Sequence, residues 1–207
     1  LNKQNTKIIY VSPLKSILSD LYDNLKIIIS ELGLNIGIDK RTGDESSLKK
    51  KKQLENPNNI ILTTPESLAL MITKKESDKI FEQTDYLAVD ELNEIINNKR
   101  GDQLALVISR ILDFNNKIKL FSSSTNIANY KYLSNWLSFN KKTKIIKNKF
   151  SKALKLDISL LDNTPDSGHS AHFAIDKIYR IAKNRKTIIF VNTRAQSEIL
   201  FKNLFVK

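Results

Sequence analysis

Asp90 and Glu91 stand side by side directly after the apolar run Leu87, Ala88, Val89. Adjacent residues on a strand point to opposite faces. At a strand end, however, two carboxylates can divide one task. Asp90 would hold Mg²⁺ directly or through water, and Glu91 would orient or deprotonate an attacking water. The alternative is a solvated acidic turn ahead of a helix, where acids suit the helix dipole.

Hydrolysis of a nucleoside triphosphate also needs a loop that cradles the phosphates. One common form reads G-x-x-x-x-G-K-S/T. The chain has five glycines, Gly33, Gly37, Gly43, Gly101 and Gly168, and none precedes a lysine. The expectation is that such a loop would have to lie before Leu1. Two other junctions offer phosphate contacts. "YVSPLK" and "ILTTPES" each place a hydroxyl residue and a proline between an apolar run and a helical pattern. Ser12 and Thr64 are suited to cap helices, with Pro13 and Pro65 at the first helical position. Helix starts of this kind lie at the carboxyl ends of parallel strands, where ligands bind, and their free N–H groups attract phosphate. Lys15 adds a point charge. Alternatively, both junctions are simply good caps. "RTGD" adds Arg41 and the turn residue Gly43. His169 and His172 are too few for a zinc site in a chain without cysteine.

The elements that must position these groups alternate. Short β-branched runs at 7–11, 36–39, 59–63, 86–89 and 117–122 read as strands. Helical periodicity marks 13–32, 46–54, 65–72, 102–113 and 127–137. Further strands are predicted at 143–147, 154–160 and 186–191, and further helices at 171–183 and 194–205. Residues 148–152 read as a linker and 162–170 as a polar loop. The alternation predicts an α/β fold with a largely parallel sheet, divided into residues 1–147 and residues 148–207.

The chain has 207 residues, is 41% hydrophobic and carries a net charge of +12. That excess suits polyanionic partners, nucleic acid before anionic membranes. It also suits the Lys, Asn and Ile bias of an A+T-rich genome. The lysines at 49–52 and at 141–155 read as solvated faces able to grip a nucleic-acid backbone nonspecifically. Absence of cysteine excludes disulfides. No apolar run reaches the roughly 20 residues needed to span a bilayer, so no membrane partner is expected. A start at Leu1, with Met71 as the single methionine, suggests either an alternative start codon or a piece of something longer.

Taken in order, these stretches resemble a superfamily 2 DEAD/DEAH-type helicase of the large helicase-related (Lhr-like) group. "SPLKS" resembles motif Ia, "ILTTPESLALMI" motif Ib, "VDELN" motif II, "KLFSSST" motif III and "IIFVNTRAQSEILFKNL" motif IV. "RTGD" and "KRGDQLALVISRIL" resemble family elements between them. The resemblance implies a RecA-like first domain and the start of a second. It implies ATP and Mg²⁺ as ligands, with Asp90 and Glu91 as the metal and water-activating acids. Asn93, Ser123 and Thr125 would belong to the catalytic set, the last two coupling ATP state to strand movement. Ser12, Pro13, Lys15, Arg41, Gly43, Thr64, Pro65, Ser67 and Arg100 would lie along single-stranded or duplex DNA, with RNA also admissible. Asn192, Thr193 and Arg194 would belong to the second domain's nucleic-acid face.

Two residues depart from the family pattern. Asn93 stands where the family has histidine, and Ser124 where it has alanine. The phosphate loop and the arginine finger are not in the sequence. The expected function is therefore a cytoplasmic helicase fragment, inactive alone. The alternatives are a non-catalytic nucleic-acid-binding module or a subunit completed by another chain carrying the phosphate loop.

Overall fold

A computed structural model describes residues 7–125, 129–139, 142–147, 155–160 and 171–205. The chain divides into two compact units, Leu1–Lys147 and Asn148–Lys207. The linker 148–152, the polar loop 162–170 and His169 lie outside the described residues, as does the His172 side chain.

The first unit is built on five strands, β1 (Lys7–Val11), β2 (Ile38–Arg41), β3 (Ile60–Thr63), β4 (Thr84–Val89) and β5 (Lys119–Ser122), in the order β2-β3-β1-β4-β5. Every pairing is parallel. The expected α/β parallel architecture is thus observed, with five of the eight predicted strands formed and β2 lying two residues later than expected. The helices are α1 (Lys15–Glu31), α2 (Ser47–Glu55), α3 (Pro65–Met71), α4 (Asp78–Glu82), α5 (Leu92–Ile95), α6 (Lys99–Phe114) and α7 (Tyr130–Ser138).

Alternation in "KIIYV" gives the sheet two faces. Ile9 and Val11 point with Ile61, Leu87 and Val89 into a buried cluster with Leu68, Met71, Phe81, Leu104 and Ile108 of the helices. The helical spacing of Leu104, Val107, Ile108 and Ile111 buries all four on one stripe of α6. Tyr10, Leu62 and Ala88 share one register row on the opposite face. There α1 lies across β2, where Lys40 Nζ donates to Ser19 Oγ at 3.1 Å. Right-handed crossovers explain the division: β1 to β2 runs one way across the sheet, and every later connection runs the other.

Three predicted strands are not formed. Residues 142–147 make no ladder. Thr143 Oγ1 instead donates to the Ser134 carbonyl at 3.1 Å, and the Lys147 ammonium lies 3.7 Å from the Tyr130 ring centroid, so this stretch is strapped to α7. In the second unit, 155–160 and 186–191 are unpaired and Phe190 is 90% exposed. The two runs do not pair with each other, and the regular elements among that unit's described residues are α8 (Ala171–Ala182) and α9 (Arg194–Phe205), which pack together. No described helix is long and apolar enough to cross a membrane.

Candidate active site

Parallel register brings the chemistry to one edge. Arg41, Thr63, Val11, Val89 and Ser122 form a continuous row across the sheet. The residues that follow them, Thr42, Thr64, Ser12, Asp90 and Ser123, therefore line the carboxyl edge, neighbouring strands being roughly 4.8 Å apart. The ladder continues one step past the strands. Ser12 N–H donates to Thr63 O at 3.0 Å, Asp90 N–H to Val11 O at 2.8 Å and Ser123 N–H to Val89 O at 3.1 Å.

Here the acid pair meets the loop after β5. The Ser123 hydroxyl donates to Asp90 Oδ1. Thr125 Oγ1 donates to Glu91 Oε2 at 3.1 Å. Asn93 Oδ1 accepts from Ser124 Oγ at 2.8 Å and from Thr125 N–H at 3.1 Å. The Leu92 N–H closes the joint onto Ser123 O at 3.2 Å. Asp90, Glu91, Asn93, Ser123 and Thr125 thus form one hydrogen-bonded cluster. The two departures from the family pattern, Asn93 and Ser124, are bonded to each other. Asparagine can serve here because its carbonyl oxygen accepts two donors at once.

Glu91 reaches Thr125 from a left-handed backbone, φ 46° and ψ 49°. A β-carbon there is disfavoured by about 1–2 kcal/mol, and such strain collects at functional sites. A continuing strand would send the two carboxylates to opposite faces; with the turn, Asp90 meets Ser123 and Glu91 meets Thr125 of the same loop. Asp90 Oδ1 also accepts its neighbour's N–H, that of Glu91, at 3.0 Å, and Asp90 Oδ2 accepts the Tyr10 hydroxyl at 2.7 Å. Burial and the bond to Asp90 push the Tyr10 phenol well above its ordinary range, so it stays a donor. None of the ion pairs among the described residues involves Asp90 or Glu91. Nor do the described residues hold three acids or histidines grouped as a metal shell. Two unpaired carboxylates fit a hydrated Mg²⁺ that takes its other ligands from water and phosphate.

The helix starts differ from one another. Thr64 caps α3 as expected, accepting the Ser67 N–H at 3.3 Å with Pro65 at the first position. Ser12 does not cap α1. The helix begins two residues later than predicted, after an extended Leu14, and Ser12 Oγ faces the Leu14 N–H at 3.5 Å. That half-turn leaves the Pro13 carbonyl outside the helix, where Arg100 Nη2 donates to it at 3.2 Å. Arg100 Nε also donates to Glu66 Oε1 at 2.6 Å. Burial alone would raise the Glu66 pKa, but this bond holds the carboxyl below its usual range. Arg100 thus ties the starts of α1, α3 and α6 together.

Ser12, Pro13, Thr64, Pro65 and Ser67 are buried behind this edge. So is Arg41, at 7% exposed, whose Nη1 donates to Lys50 O at 2.7 Å and to Gln53 Oε1 at 3.2 Å. Its guanidinium fastens α2 and is not presented to solvent as the sequence reading expected. The physical reason is strand parity: Arg41 points to the side that α2 covers, whereas Lys40 points to α1. Lys15 is exposed and pairs with Asp44 at 2.7 Å. Lys15, Gly43 and Arg100 are the members of the expected edge in the first unit that reach solvent. In the second unit Asn192, Thr193 and Arg194 are exposed. Thr193 Oγ1 accepts the Gln196 N–H at 3.2 Å while Gln196 Oε1 accepts the Asn192 N–H at 3.1 Å, much as in a capping box.

Sequence reasoning missed Tyr10. The available signal was its place in "KIIYV", the one polar-tipped residue on the face opposite Ile9 and Val11.

Residues 1–133 match the DEAD/DEAH box helicase family. The chain is 30% identical to the ATP-dependent helicase Lhr-Core of Saccharolobus solfataricus, across 92% of this chain and 23% of that protein. It is 32% identical to the Lhr-Core of Sulfolobus acidocaldarius, across 96% of this chain and 24% of that protein. The solved structure of Mycobacterium smegmatis helicase Lhr bound to ssDNA and AMP-PNP matches with a TM-score of 0.81 at 25% identity, covering 98% of this chain and 28% of that one. The chain thus spans about a quarter of the length of the relatives it matches.

Proposed function

Because the chain belongs to the DEAD/DEAH box helicase family, we propose that it supplies the acid pair, the coupling loop and part of the nucleic-acid track of an ATP-driven, cytoplasmic DNA helicase. The observation that carries this reading is the joint at the sheet edge, where Asp90, Glu91 and Asn93 are bonded to Ser123, Ser124 and Thr125. Bound MgATP would supply the cation and the phosphoryl group. Asp90 would hold the cation and Glu91 would orient the attacking water. Thr125, bonded to Glu91, would pass any shift of that carboxylate to the loop and so to β5. The buried residues Ser12, Pro13, Thr64, Pro65 and Ser67 fix the helix starts, with Arg41 fastening α2 beside them. Lys15, Gly43 and Arg100 would then face the nucleic-acid backbone. Asn192, Thr193 and Arg194 would belong to the second unit's own nucleic-acid face.

Phosphoryl transfer rests on positive charge placed around the phosphates, and the 207-residue sequence contains no G-x-x-x-x-G-K-S/T loop. The isolated chain is therefore expected to show no ATP turnover with Mg²⁺ and single-stranded DNA. Steady hydrolysis abolished by Glu91→Gln would overturn that part of the reading. Single-stranded DNA should still bind weakly, regardless of sequence, and lose affinity as salt rises. Fluorescence anisotropy should show Lys15→Ala weakening binding more than Lys142→Ala and Lys144→Ala together. The reverse order would reduce the edge to a general charge effect.

A second reading, completion of the site by a separate chain, is supported by the end of the sheet. Among the described residues β5 is an edge strand, with Phe121 53% exposed, so a further strand has a ladder to join.

A further inference from the structure

Tyr10 and Asp90 are 80 residues apart in sequence, and the sheet makes them neighbours. Tyr10 sits opposite Ala88 in the β1–β4 register, and Asp90 lies two residues further along. Diagonal positions of this kind are roughly 7–8 Å apart, within reach of an aromatic side chain. The methyl of Ala88 leaves the ring a clear path across β4. The phenol hydroxyl ends 2.7 Å from Asp90 Oδ2.

The donors around Asp90 are unevenly shared. Oδ1 receives two, the Ser123 hydroxyl and the Glu91 N–H. Oδ2 receives the Tyr10 hydroxyl. A carboxylate offers about two lone-pair positions per oxygen. Among the described residues the remaining acceptor position is therefore on Oδ2, beside the phenol. All three donors are neutral, so the negative charge of Asp90 is oriented without being paired.

We propose that Tyr10 is a positioning residue for a divalent cation: its hydroxyl stops the Asp90 carboxylate from rotating, so that the ion is met through Oδ2 alone, with the phenol ring beside it. The proposal rests on the reading of Asp90 as the cation-holding acid. It adds a residue outside the acid pair and fixes which oxygen binds.

Terbium(III) tests both statements on the full chain, because a tyrosine next to the ion sensitises its luminescence. The wild-type chain should give tyrosine-sensitised emission that excess Mg²⁺ displaces. Tyr10→Phe should lose most of the sensitised signal at equal occupancy. Its terbium affinity, read by exciting the ion directly, should weaken about tenfold, as for other residues that orient metal ligands. Ser123→Ala frees Oδ1 instead and should keep the sensitised signal. Asp90→Asn should abolish the signal and the binding together. If Asp90→Asn abolishes binding while Tyr10→Phe leaves emission and affinity unchanged, the Tyr10 proposal falls and the Asp90 reading stands. If Asp90→Asn has no effect, the ion lies elsewhere and both fall. Circular dichroism and Trp136 fluorescence establish that each variant is folded. Should Tyr10→Phe not fold, loss of sensitisation in Ser123→Ala would overturn the proposal and its retention would support it.

Discussion

Replacing Gly101 with alanine is expected to destabilise the first unit by about 3 kcal/mol, the upper part of the range for overpacking a filled core. Gly101 is buried in the first turn of α6. A β-carbon there would lie 2.3 Å from the Ile95 carbonyl oxygen and 2.9 Å from the Ile96 α-carbon. Both obstacles are backbone, so no side-chain rotation relieves them. The short helix α5 would have to move off α6, taking Asn93 with it and opening the joint to Thr125. Domains of this size are stable by only about 5–15 kcal/mol, so the loss should be visible in urea. Trp136 is the only tryptophan and packs against the core cluster, so its fluorescence reports this unit. An unchanged urea midpoint for Gly101→Ala would show that α5 and α6 are not held at this distance.

Arg41→Ala carries the second large effect, about 2–3 kcal/mol, because it strips a charged donor from one buried and one partly buried acceptor. The Lys50 carbonyl and Gln53 Oε1 would lose their partner, in a unit whose described buried side-chain polar atoms are all bonded. Arg41→Lys should fall between the two, since an ammonium cannot reproduce the planar fork. Single-stranded DNA affinity, measured well below the melting range of both variants, should stay near the wild-type value. If stability is unchanged and affinity drops, Arg41 is a nucleic-acid contact and not the fastener of α2.

Arg41 also shows what a sequence can and cannot disclose. The strands, their parallel arrangement and the helices with a clean apolar stripe were legible because periodicity is local. So was Thr64, whose cap needs only the next three residues. The parity of Arg41 was readable in principle, but which face α2 would cover depends on the handedness of a crossover. Ser12 does not cap because Leu14 is extended and α1 starts at Lys15, and the Pro13 carbonyl left outside the helix is taken by Arg100, 87 residues away. The place of Tyr10 on its own face was readable, but its partner Asp90 was not, because that partner lies across the sheet. The strands expected at 143–147 and 186–191 carried the right composition. A strand is a relation between two segments, however, and no partner was available among the described residues. The acid pair was found from its own residues. Its attachment to Asn93, Ser124 and Thr125 emerged only when β4 and β5 were placed side by side.

The central position of β1 sets a timetable for synthesis. Of the five strands β1 is made before the others, yet it is flanked by β3 and β4, with Lys7 reaching Pro57, 50 residues on, and Tyr10 reaching Asp90, 80 residues on. At about 5–20 residues per second on the ribosome, β1 waits several seconds with Ile8, Ile9 and Val11 uncovered. Local helices such as α1 can form during that interval, but the sheet cannot close until β4 has emerged. The edge that carries Asp90 is then created in the same event that buries β1. A nascent chain interrupted before Val89 would therefore hold neither a core nor a site, and would be a substrate for chaperones.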